Sequence, residues 1–252
     1  MCGGKTTTQI ELFQKHVSKF INPDSVVSPS GRTYHDLIRH INLPQKAKEK
    51  ISPSSTPKKN NIDINKFIAL LAKEFPAIKN TVAIRFLLNR MLVDTRISHI
   101  AWIPYIFATI LKECHVTFEP IEEWGKGRGT DYGKPVKFID PETNKEYTNC
   151  YYGRGYVQLT WDFNYISIGK AIGMGYKLAI NPDLALERDI AYEIMIHGMV
   201  NGIFTRRKIS TYINSNICDF INARRVINGL DKAEEIARNA HIFYDLIKSS
   251  QR

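Results

Sequence analysis

The 252-residue sequence has no apolar stretch long enough to form a bilayer helix. Its longest, Ile100 to Leu111, falls well short of the roughly 20 residues that a helical span requires, so a helical membrane span is excluded. The opening Met1-Cys2-Gly3-Gly4-Lys5-Thr6 has neither the apolar segment nor the small-residue cleavage site of a secretory leader. A protein of this kind acting outside the cytoplasm would need another carrier or release route. Cysteine is scarce and scattered: Cys2, Cys114, Cys150 and Cys218 offer no close pair, which excludes zinc ribbons and CxxC redox motifs. Buried reduced thiols are expected, with a disulfide between distant positions as the alternative. Zinc-finger spacing, basic-zipper heptads and RNP-type aromatic motifs are also missing, so the basic charge lacks a nucleic-acid reading element.

What is present points to a globular chain. Hydrophobic residues make up 43% and aromatics 11%, enough to bury a core and too much for a disordered chain. The length suits one large domain, or one domain with an appendage. The net charge of +10 is unevenly spread: residues 1–60 hold ten Lys/Arg against four Asp/Glu, leaving 25 against 21 for residues 61–252. More than half of the excess therefore sits in the first quarter, as a basic arm attracted to some polyanion.

The run Ile51-Ser52-Pro53-Ser54-Ser55-Thr56-Pro57-Lys58-Lys59-Asn60-Asn61 reads as a linker, with two prolines and no apolar period. It divides a 1–60 arm from a 61–252 domain. Within the arm, residues 8–20 and 33–41 could each form a short helix, neither long enough for its own core. Beyond the linker the period becomes helical, with Asp63 or Asn65 able to cap a helix to about Phe75. Further helices are expected at about 81–93, from Ser98 to Cys114 with a kink at Pro104, and at 161–173, 187–201, 218–227 and 231–248. Residues 115–155 lose the period and gather glycine and proline, as in a long functional loop with a short hairpin. The fold class is mainly α with one irregular lobe.

Glu113 closes an apolar helical run. A carboxylate beside an apolar wall is poorly solvated and tends to keep its proton, as a general acid must. The alternative is a surface glutamate paired with Lys112. Ten positions on stand Glu122 and Glu123, at the mouth of the irregular lobe. One sheltered and one solvated carboxylate are what glycosidic hydrolysis requires, although acidic loop residues are often merely solvated. The most specific segment is Tyr151 to Trp161, Tyr-Tyr-Gly-Arg-Gly-Tyr-Val-Gln-Leu-Thr-Trp, followed by Asn164-Tyr165. Its rings suit the apolar faces of sugars, and Gln158, Thr160 and Asn164 offer amide and hydroxyl groups.

This segment resembles the glycoside hydrolase family 19 chitinases, and more closely their chitinase-like endolysin relatives, within the lysozyme-like superfamily. Four further segments carry the likeness in order: Ala108 to Glu113, Asn181 to Leu186, Gly198 to Thr205, and Asp219 to Gly229. The resemblance implies a lysozyme-like α+β bilobal fold. It implies that Glu113 is the acid, Glu123 the base that activates water, and Thr160 a hydroxyl that helps hold that water, with Glu119 and Glu122 as bystanders. It places Tyr152, Gln158, Asn164, Arg225 and Asn228 at the substrate; Arg225 would brace the carboxylates or contact sugar, and Arg154 would brace the lobe. It implies an inverting single displacement with no cofactor and no metal.

Three positions depart from the family pattern. Lys112 replaces the usual histidine, Cys114 replaces a small hydroxyl residue, and Glu122 stands where relatives often have arginine. Lys112 would oppose an acid role if it reached Glu113, but adjacent helical side chains diverge by roughly 100°, so it is expected to face away.

The expected function is cleavage of β-1,4 bonds in peptidoglycan glycan strands by a monomer. The setting would be a phage endolysin released through a holin, or an antibacterial effector delivered by a secretion apparatus and countered by an immunity protein. The chain would be made without a signal peptide and act at the wall. The alternatives are a chitinase, an inactive glycan-binding protein or, through the arm, a nucleic-acid binder.

Overall fold

The computed structural model describes residues 61–252. The chain divides into two units, Met1–Glu49 and Lys50–Arg252, and the described residues belong to the second. The helices expected at residues 8–20 and 33–41, the arm, Cys2 and all of the linker but Asn61 lie outside the described residues.

The second unit is mainly helical with small sheets, the lysozyme-like arrangement expected. Helix α1 (Ile64–Glu74) starts where the Asp63 carboxylate accepts from the Lys66 N–H, and α2 (Thr81–Val93) where Asn80 accepts from Ala83. Each cap satisfies an N–H that the first turn would otherwise leave bare. Helix α3 (Trp102–Glu113) is the central element, with every residue from Trp102 to Ile110 buried. It begins later than expected and Pro104 does not interrupt it. Proline there occupies the first turn, where its missing N–H has no partner to lose.

Large apolar side chains in such a setting each contribute about 1.5–3 kcal/mol by burial. Around α3 the rings of Phe67, Phe107, Phe118 and Phe243 form one packed group, with Phe107 5.9 Å from Phe118 and 5.4 Å from Phe243. The polar atoms of α3 are matched as well: Trp102 Nε1 donates to the Ile213 carbonyl at 2.8 Å and the Tyr105 hydroxyl to Ala223 at 2.8 Å. Helix α8 (Ala233–Ser249) completes this core, supplying Phe243. The two ends of the domain meet, since Ile62 bridges Gln251 and the Asp63 N–H donates to Ser250.

Residues 115–155 form the irregular lobe. Strand β1 (Ile121–Glu122) pairs with β4 (Arg154–Gly155), and β2 (Val136–Ile139) with β3 (Glu146–Asn149). In the β2–β3 hairpin Val136, Phe138, Tyr147 and Asn149 turn inward while Lys137 and Glu146 pair on the outside at 2.9 Å. This alternation is that of a hairpin with one covered face.

A second core lies under the lobe. Tyr151, Leu159, Tyr165, Ile168, Leu178 and Ile194 gather there from the lobe, from α4 (Asp162–Ala171), from α5 (Lys177–Ile180) and from α6 (Arg188–Asn201). The Tyr151 hydroxyl and the Asn149 amide both donate to the Ala179 carbonyl, fixing the hairpin to α5. The helix expected through 227 is shorter: α7 (Phe220–Ala223) tightens into a 3₁₀ turn, Arg224–Val226.

Phe204 packs against both cores and lies over Gly198 of α6; a Cβ at Gly198 would stand 2.1 Å from its ring. Gly198→Ala is therefore expected to destabilise the domain by about 1–3 kcal/mol, the usual cost of overpacking. Denaturant unfolding followed by tryptophan fluorescence checks this, and an unchanged midpoint would show that Phe204 moves aside freely.

Candidate active site

Glu113 ends α3, and a guanidinium, not the apolar wall expected of a proton-keeping acid, meets its carboxylate, so an acid role requires it to carry its proton beside a cation. Arg224 donates through one guanidinium nitrogen to Glu113 Oε1 at 2.6 Å, with the two side chains 5% and 19% exposed. Arg224 also donates from Nε to the Asp231 carbonyl, so the cation is tied at both ends. Arg225, expected to brace the carboxylates, is not this residue: its Nε donates to Asn222 Oδ1 at 3.2 Å. Successive side chains of a tight turn diverge by about 100–120°, so only one of the two arginines can reach Glu113. Lys112 turns away as its place on the helix requires, pairing with Glu235 of α8 at 3.3 Å.

After α3 the chain must reverse to reach the lobe. His115 and Phe118 both take left-handed backbone conformations there. Such a conformation is costly for a bulky residue and persists only when its surroundings impose it. Here the fully buried Phe118 ring, held between Phe107 and Phe243, does so. The reversal delivers the chain to β1 and sets Glu123 just beyond it. Glu123 is held on both oxygens: the Tyr132 hydroxyl donates to Oε1 at 2.9 Å and the Gly153 N–H to Oε2 at 3.0 Å.

One contact joins the two carboxylate-bearing segments. Cys114, next to Glu113, directs its thiol to the carbonyls of Gly155 and Tyr156, at 3.6 and 3.5 Å. Gly155 belongs to β4, the partner of β1. The end of α3 and the ribbon leading to Glu123 are thus bonded to each other. Burial and the charge of Glu113 push the Cys114 thiol far up, so it stays protonated and donates. Cys218 is pushed up to about 12 by burial; Cys114 and Cys218 are buried free thiols, as expected, while Cys150 is a free thiol only half-buried.

The neighbouring acids have other duties. Glu119 is bound by both Arg188 and Asn80; burial alone would raise its carboxyl, but these partners hold it below its ordinary 4.5. Glu122 is likewise lowered, by Lys126 first and then by the Tyr152 hydroxyl.

The Tyr151–Trp161 segment is a closed loop. Arg154 and Leu159 exchange backbone hydrogen bonds across it, and Gln158 and Trp161 are both left-handed. Thr160 lies between them, half-exposed. Arg154 sits inside, 5% exposed, bonded to Asp183, to the Cys150 and Tyr152 carbonyls and to Tyr165, and stacked 3.6 Å from the Tyr152 ring. Tyr152, expected to line the groove, is 8% exposed and commits its hydroxyl to Glu122. Gln158 donates its amide to the Ile121 and Gly155 carbonyls, and Asn164 donates to Thr160. Asn228 is exposed and accepts from the Gly229 N–H. In this structure these amides first build the loops that carry them.

Sequence reasoning missed three groups that hold the two carboxylates: Arg224, Tyr132 and the Gly153 N–H. The tandem Arg224-Arg225 was visible, but not which of the two turns inward. Tyr132 stands in a glycine-rich stretch without a period, and no local signal marks it. Its place depends on Gly133, whose Cβ would lie 2.0 Å from the Gly127 carbonyl oxygen. Tyr132 meets Trp161 edge-on at 5.7 Å, and Trp161 stacks on Phe163 at 5.9 Å. Trp124, fully exposed, follows Glu123 directly. A row of rings, Tyr132, Trp161 and Phe163, therefore leads away from the hydroxyl that meets Glu123. Among the described residues no group of His, Cys, Asp and Glu side chains is arranged to hold a metal ion.

Residues 122–200 match the family model of glycoside hydrolase family 19, described as chitinase class I. The matched span starts at Glu122 and takes in Glu123, the Tyr151–Trp161 segment and most of α6, while Glu113 precedes it and Arg224 follows it. No curated protein and no solved structure matches the chain.

Tyr132→Phe keeps the ring against Trp161 and removes one of the two donors on Glu123. It is expected to lower kcat on a β-1,4 N-acetylhexosamine oligomer tenfold to about a hundredfold, as slight misplacement of a reacting group does, with KM little changed. An unchanged kcat would mean that the hydroxyl does not position Glu123.

Proposed function

We propose that this chain, whose residues 122–200 match the glycoside hydrolase family 19 model, is a glycoside hydrolase that cuts the β-1,4 glycan strands of peptidoglycan by inverting hydrolysis. The observation that carries the chemistry is the contact of Cys114 with Gly155 and Tyr156, which binds the helix end bearing Glu113 to the ribbon leading to Glu123.

In the proposed reaction Glu113 gives its proton to the glycosidic oxygen as the bond to the anomeric carbon breaks. Glu123 takes a proton from a water molecule, whose oxygen attacks that carbon from the opposite face; the Thr160 hydroxyl helps hold the water. Inversion in such a site rests on a carboxyl separation of roughly 6.5–9.5 Å, which leaves room for the water. Trp161 and Phe163, 39% and 58% exposed and joined through Tyr132 to Glu123, offer stacking faces for sugar rings. Gly153 and Glu123 are in direct contact, so the loop carrying Thr160 is hydrogen-bonded to the base.

Peptidoglycan is favoured by the Gly-Tyr-Val-Gln-Leu-Thr form of the central motif, which is nearer the endolysin type. A basic protein also suits an acidic wall. Release through a holin or injection with a cognate immunity protein are the two settings that fit this reading. Chitin is the second reading, favoured by the description of the matching family model.

Purified sacculi digested in heavy-oxygen water and analysed by mass spectrometry test the proposal. The wild-type protein is expected to release muropeptides carrying the label at one new reducing end, and Glu113→Gln to bind sacculi while releasing at least about a hundredfold less. Release of labelled chitin oligomers with none from sacculi would replace peptidoglycan by chitin as the substrate.

A further inference from the structure

A short loop beside the Glu113 brace presents three consecutive cations. Helix α6 ends at Gly202 in the left-handed conformation, and the chain turns back so that Phe204 anchors over Gly198. The Thr205 hydroxyl then contacts the Arg225 carbonyl at 2.6 Å and the Val226 carbonyl at 3.1 Å. These carbonyls belong to the 3₁₀ turn whose first residue, Arg224, holds Glu113. On its far side the loop is anchored by the fully buried Ile209. Between these anchors Arg206, Arg207 and Lys208 are all exposed.

Among the described residues no carboxylate pairs with any of the three, and Arg207 makes one side-chain contact, to the Tyr212 hydroxyl at 3.1 Å. Asp219, whose N–H donates to the Tyr212 carbonyl, spends its carboxylate on the backbone and side-chain amides of Asn222. Arg225, half-buried behind the loop, has among the described residues only the neutral Asn222 as its side-chain partner. Arg206 is in addition left-handed, at φ 63°. Isolated surface cations need no explanation. Three adjacent ones repel each other, and here a doubly anchored loop with a strained arginine holds them together, which folding alone does not reward.

We infer that Arg206, Arg207 and Lys208, with Arg225 behind them, form a cationic rim that binds carboxylates hanging from the glycan strand beside Glu113. Chitin bears no such groups. The stem peptides of peptidoglycan carry several, at intervals along the strand. The rim rests on the peptidoglycan reading above and sharpens it: the enzyme selects an acidic, peptide-bearing glycan and holds it partly by charge. Such exposed pairing is screened by salt and favours fast capture over tight binding.

The test measures initial rates of the full chain on three substrates: untreated sacculi, sacculi whose peptide carboxylates have been converted to amides, and the N-acetylglucosamine hexamer. Amidation is expected to slow the wild-type protein about tenfold, equivalent to weak ion pairing at a few positions. The combined variant Arg206→Gln, Arg207→Gln, Lys208→Gln is expected to cut both kinds of sacculi at the same reduced rate, with its sacculus-to-hexamer rate ratio lowered about as much. A wild-type rate indifferent to amidation overturns the rim and leaves the peptidoglycan reading standing; this arm needs no variant to fold. A wild-type protein that cuts the hexamer and no form of sacculus overturns the peptidoglycan reading, and the rim with it. A variant that loses affinity for a DNA oligonucleotide while retaining its preference for untreated sacculi assigns the loop to nucleic acid and overturns the proposal.

Discussion

A carboxylate at the end of a helix buried along most of its length must be met by a charge or lose its hydration without compensation. Arg224 meets Glu113, and it is itself sunk into the turn after α7, where the Asp231 carbonyl takes its Nε. Removing one member of such a sheltered pair typically costs about 3–5 kcal/mol, because the other is left uncompensated. The turn carrying Arg224 is therefore bound to the end of α3, and whatever is attached to that turn is bound with it. The Thr205 loop is attached on one side and the Asn228 loop follows on the other.

The second carboxylate is fixed by different physics. Glu123 lies on an irregular lobe, and its position depends on strain held in place by packing. Phe118 accepts a left-handed backbone because its ring is locked among other rings, and Gln158 and Trp161, on either side of Thr160, are left-handed as well. The cost is met by two separate cores, one around α3 and one beneath the hairpin, with Phe204 touching both. Cys114 then links the segments through a thiol that burial keeps protonated. A serine there could donate a stronger hydrogen bond, but cysteine suits a site with 0% exposure and apolar neighbours.

Much of the fold was legible in the sequence because its helices follow an apolar period or are largely apolar, and α1 and α2 begin at recognisable caps. Asp63 and Asn80 cap where a short polar side chain precedes an apolar period, and α2 and α6 fall within a residue of the periodic segments. Pro104 was misread as a kink because proline in a first turn and proline in a helix interior look alike until the start of the helix is known. The site was less legible. Glu113 and Glu123 were singled out through the family resemblance rather than the spacing, since a carboxylate at a helix end or in a loop carries no period. Arg224 and Arg225 differ only in direction, which a 3₁₀ turn decides. Tyr132 reaches Glu123 across nine residues of loop, through a close approach of Gly127 and Gly133 that no local rule encodes. Tyr152 and Gln158 were read as facing the ligand because their chemistry suits sugar, yet the same groups serve to close their own loop.

The central claim is that two carboxylates, Glu113 and Glu123, act from opposite sides of one bond without a covalent intermediate. The anomeric form of the first product tests it most directly, observed by proton NMR during early hydrolysis of a β-1,4 oligomer. The expected result is initial accumulation of the α anomer, which then equilibrates with the β form. Initial accumulation of the β anomer would require two displacements and would contradict the account.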